Sequence, residues 1–285
     1  MRVIDTISEF SHVLDLARRD GRTIGFVPTM GYLHDGHLSL MRRSRNECDL
    51  SAVSIFVNPL QFAPEEDLAS YPRDLPRDLQ ACEAVGVDVV FAPPVEEMYP
   101  EPTLTTVSVA ELSERMEGAA RPTHFAGVAT VVAKLFNITG PCRAYFGEKD
   151  YQQLVVIRRM VKDLNQPVEV VGCPIVREPD GLAMSSRNVY LSDEERGAAI
   201  VIYRALQVGA AAIFAGERDA TAVARLMADI IAAEPLAALD YAEVVDADDL
   251  RPITSLEPGS RVRLLAAAKV GAPRLLDNLG VEVPA

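Results

Sequence analysis

Residues 28–37 read PTMGYLHDGH, a decapeptide holding two of the chain's four histidines. His34 and His37 stand three apart. If a helix starts near His34, residues at i and i+3 share a face, and both imidazoles project from the helix N-terminus. That end presents unpaired N–H groups and partial positive charge, which attract phosphate. Gly31 and Gly36 let a phosphate or ribose come close to the backbone. Two imidazole donors there suit a reaction in which charge builds on phosphate oxygens.

Four further stretches carry chemistry of the same kind. In FVNPLQF (56–62), Gln61 offers a donor and an acceptor from one amide, enough to hold a hydroxyl or a carboxylate. In RPTHFAGVATVV (121–132), Arg121 and His124 sit beside Gly127 before a long apolar run, as a pocket rim would. In FGEKDYQQ (146–153), Lys149 is a point charge suited to phosphate oxygens, and Asp150 suits a ribose hydroxyl or a helix cap. Gln153 lies one turn on and could reach the pocket of Gln61. In MSSRN (184–188), two hydroxyls, a guanidinium and an amide make an anion cradle. The EPDG turn before it marks a segment able to close over a ligand. Taken singly, each stretch also reads as an ordinary turn, cap or solvated pair.

The elements between these stretches must position them. Residues 6–19 have a helical stripe of Ile7, Phe10, Val13, Leu14 and Ala17, followed by Gly21. Apolar strands are predicted over 23–30, 50–59, 87–94 and 167–176, with a short one in RAYFG. Helices are predicted over most of 31–47, over 74–86, and in VATVVAKLFNIT and KDYQQLVVIRRMVKDL. This alternation is that of a doubly wound parallel sheet, a Rossmann-like α/β fold. Ligands of such sheets bind beyond the carboxyl ends of the strands. From 193 to 233 the chain is Ala-rich and helical, and strand-like runs follow it. The expected division is a catalytic domain over 1–178 and a smaller α+β domain over 179–285.

Composition narrows the possibilities. A formal net charge of -13 argues against general affinity for nucleic acid or anionic membrane, though not against a local basic pocket. Cys48, Cys82, Cys142 and Cys173 form no CxxC pair and read as reduced thiols. No Cys/His cluster has zinc-ligand spacing, so no protein-held metal is expected. The N-terminus lacks the apolar core of a signal peptide, and no stretch reads as a membrane span free of charges and breakers. A cytoplasmic location is expected.

Together the five stretches, in this order, resemble the pantothenate synthetases, or pantoate–β-alanine ligases. PTMGYLHDGH looks like that family's version of the HIGH motif of the nucleotidyltransferase superfamily. The resemblance implies ATP-dependent condensation of pantoate with β-alanine through a pantoyl-adenylate. It implies an ATP site made from Met30, Gly31, Tyr32, Leu33, His34, Asp35, Gly36 and His37, with Gly147, Glu148, Lys149, Asp150, Val176, Met184, Ser185, Ser186 and Arg187. Within it, His34, His37, Lys149 and Arg187 are the catalytic candidates, with His37 taking an acid-like role. Gln61 and Gln153 would hold pantoate, and Asn58, Tyr71, Arg121 and His124 would form the rim. Mg²⁺ would bridge phosphate oxygens, and the assembly would be a homodimer. Segments 62–75 and 177–190 are the lid candidates. The alternative within the superfamily is a nucleotidyltransferase that leaves the nucleotide on its product.

Overall fold

The computed structural model describes residues 1–64, 66 and 68–285. The chain divides into two compact units, residues 1–148 with 152–174, and residues 149–151 with 175–285. The sequence predicts a division at 178/179 and gives no reason to assign 149–151 separately.

In the first unit the chain runs β1 (Arg2–Ile4), α1 (Ile7–Arg19), β2 (Ile24–Thr29), α2 (Asp35–Glu47), β3 (Leu50–Ile55), α3 (Leu75–Ala84) and β4 (Val89–Phe91). It continues through the short α4 (Val95–Met98) and α5 (Glu117–Ala120), then α6 (His124–Thr139), β5 (Cys142–Gly147), α7 (Tyr151–Asp163) and β6 (Val168–Cys173). The six strands form a sheet in the order β1-β4-β3-β2-β5-β6, and every pairing is parallel. The edge strand β1 is not predicted from sequence; at three residues it is too short to show a pattern.

Phe26 and Val27 are adjacent on β2 and therefore face opposite sides of the sheet. The Phe26 ring lies 6.4 Å from that of Phe10 on α1. Val27 belongs instead to a buried cluster with Met41 of α2 and Cys82 of α3. Helices thus cover both faces, which is why β2 and β3 read as continuous apolar runs rather than alternating ones.

The strand order fixes where a ligand can enter. Counted from β2, the chain builds outward through β3 and β4, then crosses back to place β5 on the other side of β2. That reversal makes β2/β5 the topological switch point. The β2–β5 ladder runs only through Gly25↔Arg143 and Phe26↔Ala144. Pro28, two residues further on, has no N–H to extend it. On its other side β2 stays paired with β3 through Thr29 and Ile55. Pro28 therefore lies within the strand, and the switch point opens beside it.

The second unit holds α8 (Asp193–Ala199), α9 (Val201–Phe214) and α10 (Ala220–Ala232) with β7 (Ala237–Asp246), β8 (Arg261–Val270) and β9 (Arg274–Glu282). The three strands form an antiparallel sheet in sequence order. Its core joins Ile202, Leu206 and Ile213 of α9 to Val223, Met227 and Ile231 of α10 and Leu264, Ala266 and Ala268 of β8. The run Asp193–Phe214 has the length and apolar content of a membrane-crossing helix, though it carries Asp193, Glu194, Glu195, Arg196 and Arg204, and half of its most apolar window is buried within the protein.

Candidate active site

The loop after β2 is shaped by one buried carboxylate. Asp78 of α3 accepts hydrogen bonds from the backbone N–H groups of Tyr32 and Leu33, both at 2.7 Å. It is 1% exposed. Burial pushes its pKa up, and those two hydrogen bonds oppose the rise. Gly31 and Tyr32 both take positive φ, 85° and 49°, to make the turn. A Cβ on Gly31 would stand 2.9 Å from Asp78 Oδ2. Arg77 places its guanidinium 4.9 Å from the Tyr32 ring centre.

The two histidines cap α2. His34 is the N-cap, and its Nδ1 accepts from the Gly36 N–H at 3.1 Å. The Nδ1 of His37 accepts in turn from the His34 N–H at 3.3 Å. The pair is a capping box built from imidazoles, with ring centres 4.0 Å apart. An Nδ1 that accepts is unprotonated, so each neutral ring carries its proton on Nε2 and presents it as a donor. The shared face expected from spacing is thus accompanied by a fixed tautomer, which spacing could not show.

The second and third stretches meet around Gln61, which is 7% exposed in a short 3-10 turn, Pro59–Gln61. Its Oε1 accepts from Asn58 Nδ2 at 3.1 Å, and its Nε2 lies 3.0 Å from Met30 Sδ. Asn58 also donates to the Gly127 carbonyl at 3.1 Å and accepts from the Tyr99 hydroxyl at 2.8 Å. Arg121 donates to the Gln61 carbonyl at 3.3 Å, and His124 Nδ1 lies 3.1 Å from the same oxygen. Arg121 further pairs with Glu66 through both carboxylate oxygens. His124 is the first residue of α6, which begins four residues before the helix predicted from Val128. Tyr71 is buried edge-on against Phe62, ring centres 5.7 Å apart. The lid candidate 62–75 includes Glu65 and Asp67, which lie outside the described residues.

Of the adjacent glutamines opening α7, Gln152 is 2% exposed and organises the backbone before α5. It donates to the carbonyls of Leu112 and Arg115, both at 2.8 Å, and accepts from the Glu117 N–H at 3.1 Å. Gln153 is partly exposed. Sequence reasoning names Gln153 and misses both Gln152 and Asp78. Asp78 leaves a signal: an acid placed one helical turn before buried Cys82, on the buried side of α3.

Gly147 closes β5, and a Cβ there would meet nothing within 4 Å. Glu148 opens the 3-10 turn Glu148–Asp150. In the second unit, Lys149 pairs with Asp150 at 3.6 Å, and α7 starts one residue after Asp150. Met184 donates its N–H to the Val176 carbonyl at 3.0 Å, closing a hairpin whose turn holds Gly181. The residues that follow are not an open loop but a 3-10 helix, Ser186–Tyr190, capped by Ser185, whose hydroxyl accepts from the Arg187 N–H at 3.2 Å. Asn188 ties back to the Ala183 carbonyl at 3.1 Å. Lys149, Ser185 and Asn188 line one cavity of this unit with Tyr203, Leu276 and Asp277.

A parallel α/β sheet with two imidazoles at the N-terminus of the helix beside its switch point is a frame suited to binding a phosphorylated ligand. The family model for pantoate-beta-alanine ligase matches residues 2–280, and the chain belongs to that family. It is 56% identical over 283 residues to the pantothenate synthetase of Heliobacterium modesticaldum, covering 99% of this chain and all of the relative. It is 57% identical over 282 residues to that of Roseiflexus castenholzii, again covering 99% of this chain and all of the relative. The crystal structure of pantothenate synthetase from Thermus thermophilus superposes with a TM-score of 0.92 at 50% identity, covering both chains fully. The ligase of Francisella tularensis, complexed with beta-gamma ATP and beta-alanine, gives a TM-score of 0.78 at 35% identity over 98% of this chain and 97% of that one.

Proposed function

We propose that this enzyme joins pantoate to β-alanine in two steps. A pantoate carboxylate oxygen attacks the α-phosphorus of ATP, forming the acyl-phosphate bond as pyrophosphate leaves. The β-alanine amine then attacks the acyl carbon, loses a proton, and expels AMP, leaving the amide of pantothenate. Neither step needs a protein nucleophile, so the protein's part is orientation and charge stabilisation.

The observation that carries this reading is the imidazole capping box. It sets two imidazole rings, 4.0 Å apart, at a helix N-terminus, where phosphate charge is favoured. We assign the phosphates to His34 and His37, with His37 acting as the acid-like donor. Lys149 and Arg187, with Ser185 and Ser186, steady the departing pyrophosphate. The backbone of 30–37, Gly147, Glu148, Asp150, Val176 and Met184 receives the rest of the nucleotide. Gln61 and Gln153 receive the hydroxyls and carboxylate of pantoate, inside a rim of Asn58, Tyr71, Arg121 and His124.

Among the described residues no three His, Cys, Asp or Glu side chains cluster to hold a metal. A Mg²⁺ ion accompanying ATP fits this donor set as one held chiefly by phosphate oxygens, where it would offset charge on the leaving group. A homodimer and a cytoplasmic location belong to the same reading.

The test follows pyrophosphate and AMP separately in purified protein given ATP, Mg²⁺ and pantoate, with and without β-alanine. Pantoate-dependent pyrophosphate, with sustained AMP only after β-alanine is added, is the expected result. A nucleotide retained on the final product would overturn the ligase reading.

A further inference from the structure

Strand β9 carries two adjacent buried polar residues whose partners lie far away in sequence. Asp277 is 5% exposed and Asn278 is 1% exposed. Asn278 Nδ2 donates to the backbone carbonyl of Lys149 at 2.7 Å. Its Oδ1 accepts from Arg263 Nε, also at 2.7 Å. The same Arg263 lies 3.8 Å above the ring of Tyr151, whose hydroxyl donates to the Ala247 carbonyl at 2.8 Å. Residues 149–151 are thus held at both ends by the second unit's own sheet.

Asp277 holds the other segment. Arg177 donates to its two oxygens at 2.6 and 2.9 Å and also binds the Gly181 carbonyl at 3.0 Å. The Arg177 guanidinium lies 3.7 Å from the centre of the Tyr203 ring. A Cβ on Gly181 would come within 2.7 Å of that ring. These contacts fix the hairpin that delivers Ser185, Ser186 and Arg187. Finally, the Asn278 N–H donates to Asp277 Oδ1 at 2.7 Å, which ties the two anchors together.

We infer that Asp277 and Asn278 are positioning residues for the adenylation step. Through one strand step they set the spacing between Lys149 and the Ser185–Arg187 segment. Neither residue needs to touch ATP for this. The inference rests on the reading that Lys149 and Arg187 hold the phosphates. A buried ion pair and an amide with both ends satisfied resist displacement, because an uncompensated member is costly. The spacing is therefore rigid before the nucleotide arrives, as preorganised stabilisation requires.

The decisive variant is Asn278→Asp. A carboxylate still accepts from Arg263 but has no N–H for the Lys149 carbonyl, so it removes the link and keeps the packing. The full-length enzyme is assayed for pantoate-dependent pyrophosphate release across ATP concentrations, and for β-alanine capture of preformed pantoyl-adenylate. The expected result is a fall in kcat/KM for ATP of about tenfold to a hundredfold, the scale of a misplaced catalytic group, with the KM for β-alanine unchanged. Asp277→Asn should act in the same direction. Wild-type ATP dependence in Asn278→Asp, or an equal loss toward all three substrates, would overturn the inference. If Asn278→Asp does not fold, Asn278→Ser is judged by the same two outcomes. Lys149→Ala separates the underlying reading: if it keeps kcat/KM for ATP within about threefold, the assignment of Lys149 itself fails. If Lys149→Ala is crippled and Asn278→Asp is not, only the positioning role fails.

Discussion

A Cβ placed on Gly127 would stand 2.6 Å from the Cα of Gln61, and closer still to the carbonyl of Leu60. Helix α6 therefore touches the turn that presents Gln61 backbone to backbone. Gly127→Ala should push that turn away. We expect a loss of about 1–3 kcal/mol in stability, as for other overpacked sites, and a raised KM for pantoate. Urea unfolding and steady-state kinetics check both, and a fully stable, fully active variant would refute the contact.

The histidine pair combines structure with chemistry, and the two can be separated. Asn is a favoured N-cap, so His34→Asn should keep the stability of α2 within about 1 kcal/mol. Pyrophosphate release should nevertheless fall by about a hundredfold or more, as when one preorganised donor is removed. His37→Ala should show a similar loss of rate. A loss under about threefold in either variant would remove that residue from the mechanism.

Gln152 and Gln153 should respond oppositely. Gln152→Ala strands two carbonyls and one N–H and should cost about 2 kcal/mol or more of stability. Gln153→Ala should leave the melting temperature nearly unchanged and raise the KM for pantoate. Thermal melts and pantoate titrations would expose an exchange of these roles.

The pair of Glu66 and Arg121 predicts a pH dependence. Burial pushes the Glu66 carboxyl upward, but the hydrogen bonds and charge of Arg121 outweigh it and leave the group below its ordinary 4.5. A depressed folded value means the contribution is present above the unfolded value and is lost as pH falls through the folded one. Wild type should therefore exceed Glu66→Gln in stability at pH 7. That gap should narrow as pH falls below the ordinary 4.5 and close once the folded carboxyl is protonated. A gap that stays constant with pH would mean the ion pair contributes nothing.

Much of this is legible in the sequence because it rests on local rules. The apolar run 50–59 reads as a strand buried on both faces, of which Leu50–Ile55 forms β3, and the glycine turn before His34 opens a helix. What escapes depends on partners distant in sequence. Asp78 reaches Tyr32 and Leu33 across 46 and 45 positions, and the pattern within α3 shows only that the acid falls on its buried side. The neighbours Gln152 and Gln153 differ only in which way a helix turns them. Asp277 and Asn278 look like ordinary polar residues on a strand until Arg177, Arg263 and Lys149 are brought to them.

The assignment of residues 149–151 to the second unit bears on how the protein is made. The Lys149 carbonyl meets its donor 129 positions later in the chain. A nascent polypeptide completes the six-stranded sheet by Cys173, long before Asn278 has been synthesised. Until β9 emerges, the Lys149 carbonyl lacks its Asn278 donor, although Arg263 and Ala247 can already meet Tyr151. A truncated chain could bury most of its first core and still lack an ordered Lys149. Strand β9 thus adds its contact to residues 149–151 after the first sheet is already complete.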